Sequence, residues 1–238
     1  FCLYSQMLAD GMVRDEGAKK EYLITLKREA QRLAKIVENV LCYARLSEVR
    51  ASAHVEEVDA GDLMERIVPT LARRAAESGL RLEVDTDGAR GAMLSVDPQT
   101  VERILMNLVE NACKYAVGYS PPGGVPDPRV HLRAVIERSG VRITVSDHGP
   151  GIPAAQRARI FKAFNRTGRE ANNAAPGLGL GLSLSRGLAR ALGGDLVLAP
   201  DSKQSRGGSG GGAELSLVIP ADVPADSPDV RREHAVAR

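Results

Sequence analysis

The sequence contains no tryptophan, and only five Tyr and three Phe among 238 residues. A core built from it must rely on Leu, Val, Ile and Ala rather than on large rings. The three cysteines, Cys2, Cys42 and Cys113, are odd in number and far apart. That excludes a disulfide scaffold and a zinc site of paired cysteines, and it fits the reducing cytoplasm. An excess of either charge is also missing: 32 basic and 30 acidic residues leave a net charge of +2. No broad basic face is available for nucleic acid, so none is expected as a partner. No apolar run approaches the roughly 20 residues that span a bilayer. A membrane link would run only through regions outside this chain. The opening FCLYSQMLAD lacks the basic start, apolar centre and small-residue cleavage site of a signal peptide. It begins with Phe rather than Met, which reads as a fragment.

What is present is ordinary for a globular chain, 43% hydrophobic and 26% charged, which excludes disorder along its whole length. Residues 18–49 read as one long helix, because Leu23, Leu26, Ala30, Leu33, Val37, Val40 and Ala44 recur at alternating steps of three and four. Phe1, Tyr4, Met7 and Leu8 suggest a short helix before it, stopped at Asp10-Gly11. This is an α-helical hairpin, and burying its seam calls for a second copy, a homodimer.

Beyond residue 50 the pattern mixes strands and helices. Strands are expected at 54–59, 80–85, 92–96, 130–137, 141–146, 195–198 and 214–219. Helices are expected at 59–78, 98–116, 154–161 and 180–192, the second started by Asp97 as cap and Pro98 at its first position. Without a regular βαβ alternation, the expected class is α+β, with helices on one face of a largely antiparallel sheet. Residues 118–128 and 201–212 read as loops. The polar stretch 165–177 is too long for a plain connector. Residues 221–238 read as a disordered tail.

Four local signals follow one another on this frame. Asn107, Asn111 and Lys114 fall on one face of the helix from Pro98, away from Val101, Leu105 and Val109. Two amides and an ammonium could hold a hydrated Mg²⁺ and a phosphate chain; equally they could be a solvated helix face. Asp147-His148-Gly149-Pro150-Gly151 follows an apolar strand. Its carboxylate could accept from an exocyclic amine, or the segment is a plain turn. Phe161 and Phe164, with Arg166 after them, could anchor the next loop and reach a phosphate, or form a small apolar patch. Gly177, Gly179 and Gly181 open a helix, where backbone N–H groups attract anions. A dinucleotide fold would place such glycines directly after a strand, which this chain does not. The P-loop signature and the protein-kinase catalytic loop are both absent.

In this order and spacing the four signals closely resemble the N, G1, F and G2 boxes of sensor histidine kinases. These belong to the wider GHKL ATPase group, with DNA gyrase, heat-shock chaperones and mismatch-repair ATPases. The resemblance covers residues 54–220, and the hairpin resembles the family's dimerisation and histidine-phosphotransfer module. It implies a two-layer α/β sandwich that binds ATP and Mg, with a truncated hairpin at 1–50, an ATP-binding catalytic domain at 51–220 and a tail at 221–238. By resemblance, Asn111 coordinates the Mg²⁺, Asn107 supports it, Lys114 contacts phosphate and Tyr115 lies beside the adenine. Asp147 binds the adenine amine, Gly149 and Gly151 shape the base pocket, and Gly177, Gly179 and Gly181 wrap the phosphates. Residues 165–177 would be an ATP lid, with Arg166 near the γ-phosphate. The implied partners are a response regulator receiver domain and a second copy of the chain.

Position 107 separates the branches of the group. The hydrolysing members carry a Glu there as general base, and an amide cannot take a proton from water. Phosphoryl transfer to a histidine imidazole is the expected reaction, with two alternatives: an anti-sigma-factor-type serine kinase, or an ATP-binding dimerisation or phosphatase module without kinase activity. The chain departs from the family in one respect. Its only histidines are His54, His131, His148 and His234, none of them on the hairpin. Residues 1–10 resemble the stretch just after the family's phosphoacceptor, so truncation is expected. His148 stands where the family usually has Asn.

Overall fold

The computed structural model describes residues 2–13, 15–44, 54–121, 124–138, 140–165, 179–199 and 212–222. The chain divides into two compact units, Phe1–Arg45 and Leu46–Arg238. No helix among the described residues is long and apolar enough to cross a membrane.

The first unit holds two helices, α1 (Cys2–Ala9) and α2 (Glu16–Ala44). Gly11, at φ 64°, takes the left-handed conformation that ends α1 where Asp10-Gly11 predicts. Asp15 then caps α2, accepting from the Ala18 amide at 2.7 Å. That cap starts the helix two residues before the expected 18; residues 45–50 lie outside the described residues. Tyr4 and Tyr22 hold the helices together, their ring centroids 4.8 Å apart. The apolar seam is not covered: Leu23, Leu33 and Val37 keep 52–56% of their surface exposed.

In the second unit a five-stranded sheet runs in the order β2 (Arg81–Asp85), β4 (Arg129–Glu137), β5 (Gly140–Asp147), β7 (Glu214–Ile219), β6 (Asp195–Leu198). All neighbours are antiparallel except β2 and β4. A separate antiparallel pair joins β1 (Glu56–Asp59) to β3 (Met93–Val96). Met93 also exchanges both backbone hydrogen bonds with Asp222, so pairing reaches two residues into the expected tail; residues 223–238 lie outside the described set. Helices α3 (Ala60–Glu77), α4 (Pro98–Ala116) and α6 (Gly181–Ala191) pack on the strands, with α4 touching both α3 and α6.

The layer between them is aliphatic, as the composition requires. Leu63, Met64 and Leu71 from α3 and Ile104, Leu105 and Leu108 from α4 meet Leu132, Ile143, Leu196 and Leu217 from the sheet. Each such side chain withdrawn from water contributes on the order of 2 kcal/mol. An exposed ion pair such as Arg66–Glu56 contributes at most about 1 kcal/mol. Aliphatic burial, not surface charge, holds this unit together.

The helix expected at 154–161 is shorter than its pattern. Only α5 (Ala154–Arg157) is α-helical. Its leading Pro153 provides no side-chain cap and none of its residues is buried. The chain continues in tight turns, with the Arg159 and Lys162 amides bonding three residues back. A short 3-10 turn at Asp87–Ala89 has no counterpart in the sequence reading.

Candidate functional site

Helix α4 is the spine of the site. Asp97 starts it by accepting from the Gln99 amide at 3.1 Å and the Thr100 hydroxyl at 2.7 Å. Its apolar face is buried, which turns Asn107, Asn111 and Lys114 to the other side. Asn107 donates through Nδ2 to the Ser185 hydroxyl on α6 at 2.8 Å. Its Oδ1 lies 2.6 Å from where a Cβ on Gly181 would stand. Asn107 therefore latches α4 to the first turn of α6, and Gly181 is needed for that approach. Leu180, at the N-cap of α6, supplies no side-chain acceptor to that turn.

One turn along α4, the Asn111 Nδ2 is buried without a hydrogen-bond partner among the described residues. A buried amide nitrogen left so costs about 1–3 kcal/mol. Rotating the amide by half a turn presents its carbonyl oxygen at the same point. A hard amide oxygen suits Mg²⁺, which keeps several waters and shares its ligands with phosphates. Among the described residues no group of three or more His, Cys, Asp or Glu could enclose a metal. The fit to an ion therefore rests on the Asn111 amide. Lys114 rests over the Tyr115 ring, its Nζ 4.9 Å from the centroid and 3.4 Å from the phenol oxygen.

At the C-terminal end of α4 the turn after β5 closes in. Asp147 as a residue is half-buried, but its carboxyl group is withdrawn from water. Oδ1 accepts from the Gly149 amide at 2.7 Å and the Ala213 amide at 3.3 Å. Burial pushes its pKa up, and the two backbone donors oppose the rise without cancelling it. A Cβ on Gly149 would stand 3.0 Å from the Tyr115 carbonyl oxygen, so this turn packs directly on α4. Gly151 completes the turn at φ 69°.

Gly179, also at φ 69°, sits against the Asn165 backbone. Phe161 lies under the Arg186 guanidinium, 4.7 Å from its centroid, and Arg186 forms two hydrogen bonds with Asp195, both 2.8 Å. That pairing holds the Asp195 carboxyl down to about 2. Of the two expected Phe anchors only Phe161 is held this way. Phe164 is 66% exposed, at φ 60°. Arg166, Gly177 and the rest of residues 166–178 lie outside the described residues.

The structure thus brings Asn107, Asn111, Tyr115, Asp147, Gly149 and Gly181 along one helix face, about 12 Å from 107 to 115. The sequence reading missed Ser185, Asn165 and the Gly212-Ala213 backbone that braces Asp147. None carries a local signal, since each acts on a residue far away along the chain.

Residues 96–223 match the family described as histidine kinase-, DNA gyrase B-, and HSP90-like ATPase. The chain is 33% identical over 210 residues to the sensor protein KdpD of Rathayibacter rathayi, covering 85% of this chain and 22% of that protein. It is also 33% identical over 165 residues to the signal transduction histidine-protein kinase/phosphatase MprB of Mycolicibacterium smegmatis, covering 69% and 30%. The chain therefore spans between a fifth and a third of these relatives' length. Among solved structures, full-length ShkA in complex with AMPPNP superposes with a TM-score of 0.66 at 27% identity, covering 88% of this chain and 40% of that one. A mycobacterial sensor histidine kinase MprB gives 0.52 at 26%, covering 71% and 100%.

Proposed function

The chain belongs to the histidine kinase-, DNA gyrase B-, and HSP90-like ATPase family, and from that premise we propose that it is the catalytic portion of a sensor histidine kinase. It binds Mg-ATP and passes the γ-phosphoryl to a histidine imidazole in two-component signalling. The observation that carries this reading is position 107, where an amide, not a carboxylate, is engaged with Ser185 on the first turns of α6. It is no base for water, so the γ-phosphoryl waits for a better nucleophile.

Asp147 takes the adenine amine on its Oδ2, which accepts no hydrogen bond among the described residues. Tyr115 lies alongside the base, and Gly149 and Gly151 keep the approach open. Asn111 contributes an oxygen toward the ion, and Lys114 swings from Tyr115 to a phosphate. The first-turn amides of α6, with Gly177 and Gly179 before them, cradle the phosphate chain. Arg166 meets the γ-phosphate. Bound Mg²⁺ would neutralise charge on the β- and γ-phosphates. The imidazole nitrogen forms a bond to phosphorus as the bond to the β,γ-bridging oxygen breaks, and ADP carries that oxygen away. Catalysis is positioning and charge neutralisation.

An acceptor helix supplied separately tests the reaction. A helical hairpin bearing one histidine, mixed with this chain and labelled Mg-ATP, is expected to gain an acid-labile, alkali-stable phosphate. Release of the label only as inorganic phosphate would favour hydrolysis and sink the proposal.

The bare seam of α2 supports a homodimer through the hairpin, and a response regulator receiver domain is the onward partner. Leu33→Asp together with Val40→Asp puts two charges into that seam. The dimer is expected to weaken by at least about 100-fold. A dimer of unchanged strength in sedimentation would show that the contact lies elsewhere.

A further inference from the structure

Beside the Asp147 turn stands a pair of imidazoles that the reaction does not use. Antiparallel pairing of β4 and β5 sets His131 opposite Ser146, and His148 folds back beyond the strand end to meet it. The two Nε2 atoms are 2.9 Å apart, with ring centroids 5.1 Å apart at 72°. The centroid separation nearly equals the N···N distance plus two ring radii, the largest value it could take, so the nitrogens point at each other. That is the geometry of an N–H···N hydrogen bond, in which one ring donates and the other accepts.

Charged groups flank the pair. Glu83 on β2 lies 3.3 Å from His131 Nδ1. Asp127, ahead of β4, lies 3.5 Å from His148 Nε2. Arg129, at the start of β4, forms two 2.7 Å bonds with Asp127 and reaches Glu83 at 3.2 Å. Asp147, at the end of β5, is the chain neighbour of His148. The carboxylate of Glu83 favours a proton on His131 Nδ1, which leaves the Nε2 lone pair to accept from His148. One added proton preserves the bond: whichever ring takes it becomes the donor, and the neutral ring accepts. A second puts hydrogens on both facing nitrogens, and the bond is lost. The nearest acceptor left to His148 is then Asp127.

That move displaces a turn with little slack. His148 lies between Asp147 and Gly149, whose amide donates to Asp147 Oδ1 at 2.7 Å and which packs on the Tyr115 carbonyl. We infer that His131 and His148 form a proton-operated clasp that positions the Asp147–Gly149 turn, so that adenine nucleotide binds best while the pair holds at most one proton. The inference rests on the reading of Asp147 as the base-binding group. The second proton favours the nucleotide-free form, so by linkage affinity falls as the pH falls.

The test is calorimetry of the full chain with Mg²⁺ and AMPPNP at about pH 7.5 and about pH 5.5. The unsubstituted chain is expected to lose roughly five- to tenfold in affinity between them. His131→Gln keeps a hydrogen-bonding amide but no titration, and His148→Asn does the same from the other side. Both are expected to lose most of that pH dependence. Titration of the nucleotide's own phosphates is common to all three and cancels in the comparison. The same pH dependence in His131→Gln as in the parent would overturn the clasp. If the nucleotide binds none of them at the higher pH, the base-site reading fails instead. Imidazole NMR titrations then decide the clasp alone: His131→Gln must shift the titration of His148 and leave exposed His54 unmoved. A His148 curve that ignores the substitution overturns it.

Discussion

Replacing Asp147 with Asn is expected to reduce adenine nucleotide affinity by at least about 100-fold while leaving the fold as stable as before, or more so. The two effects separate because the two carboxylate oxygens have different tasks. Oδ1 accepts from Gly149 and Ala213, and an Asn carbonyl can accept from both. Oδ2 becomes an NH2 group, which meets the donor amine of the base as a second donor. Stability responds to charge. Burial raises the Asp147 pKa, so the folded protein holds that proton more tightly than the unfolded chain. The ionised form therefore carries a penalty at neutral pH, which fades as the pH falls below the raised pKa. The Asn variant carries none, and its stability advantage should shrink toward acid pH. Calorimetry and thermal unfolding across pH check both halves. Wild-type affinity in the variant would remove Asp147 from the base site.

Gly179→Ala is expected to be the more damaging of the two glycine changes beside α6, lowering stability by at least about 2 kcal/mol and eliminating nucleotide binding. At φ 69° a side chain is strained, by about 1–2 kcal/mol on its own. The added Cβ would also stand 2.5 Å from the Asn165 carbonyl oxygen and 3.0 Å from its amide nitrogen, and a backbone cannot step aside cheaply. Gly181→Ala differs in kind. Its Cβ meets the Asn107 side chain, which can rotate at the cost of the bond to Ser185. That variant should keep its melting temperature within a few degrees and lose affinity. Equal melting temperatures for both variants would contradict the assignment of backbone and side-chain contacts.

These examples also mark what could be read from the sequence. The start of α4 was legible because its signal is local: Asp97 reaches only the next three residues, and Pro98 fixes one angle. Strands β6 and β7 were legible from their own apolar residues. The helix expected at 154–161 stops at Arg157 because no side chain caps it, none of its residues is buried and the backbone beyond turns more tightly. The parallel pairing of β2 with β4 was not legible, since its register is set by partners some 48 residues apart. Nor was the latch of Asn107 on Ser185, 78 residues away. The chemistry could be named from the sequence, but not the neighbours that hold each group in place.

The contact between Asn165 and Gly179 has a consequence for how such a site can vary. Residues 165 and 179 meet backbone to backbone although the chain between them is fourteen steps long. Its two ends are fixed by Asn165 and by the left-handed glycine, whatever runs between them. For a segment whose ends already touch, doubling its length adds only about 0.6 kcal/mol of closure entropy. The closure cost of a longer connection between these two residues is therefore small. Changes of length there are expected to be tolerated, while positions 165 and 179 themselves stay under strict steric constraint.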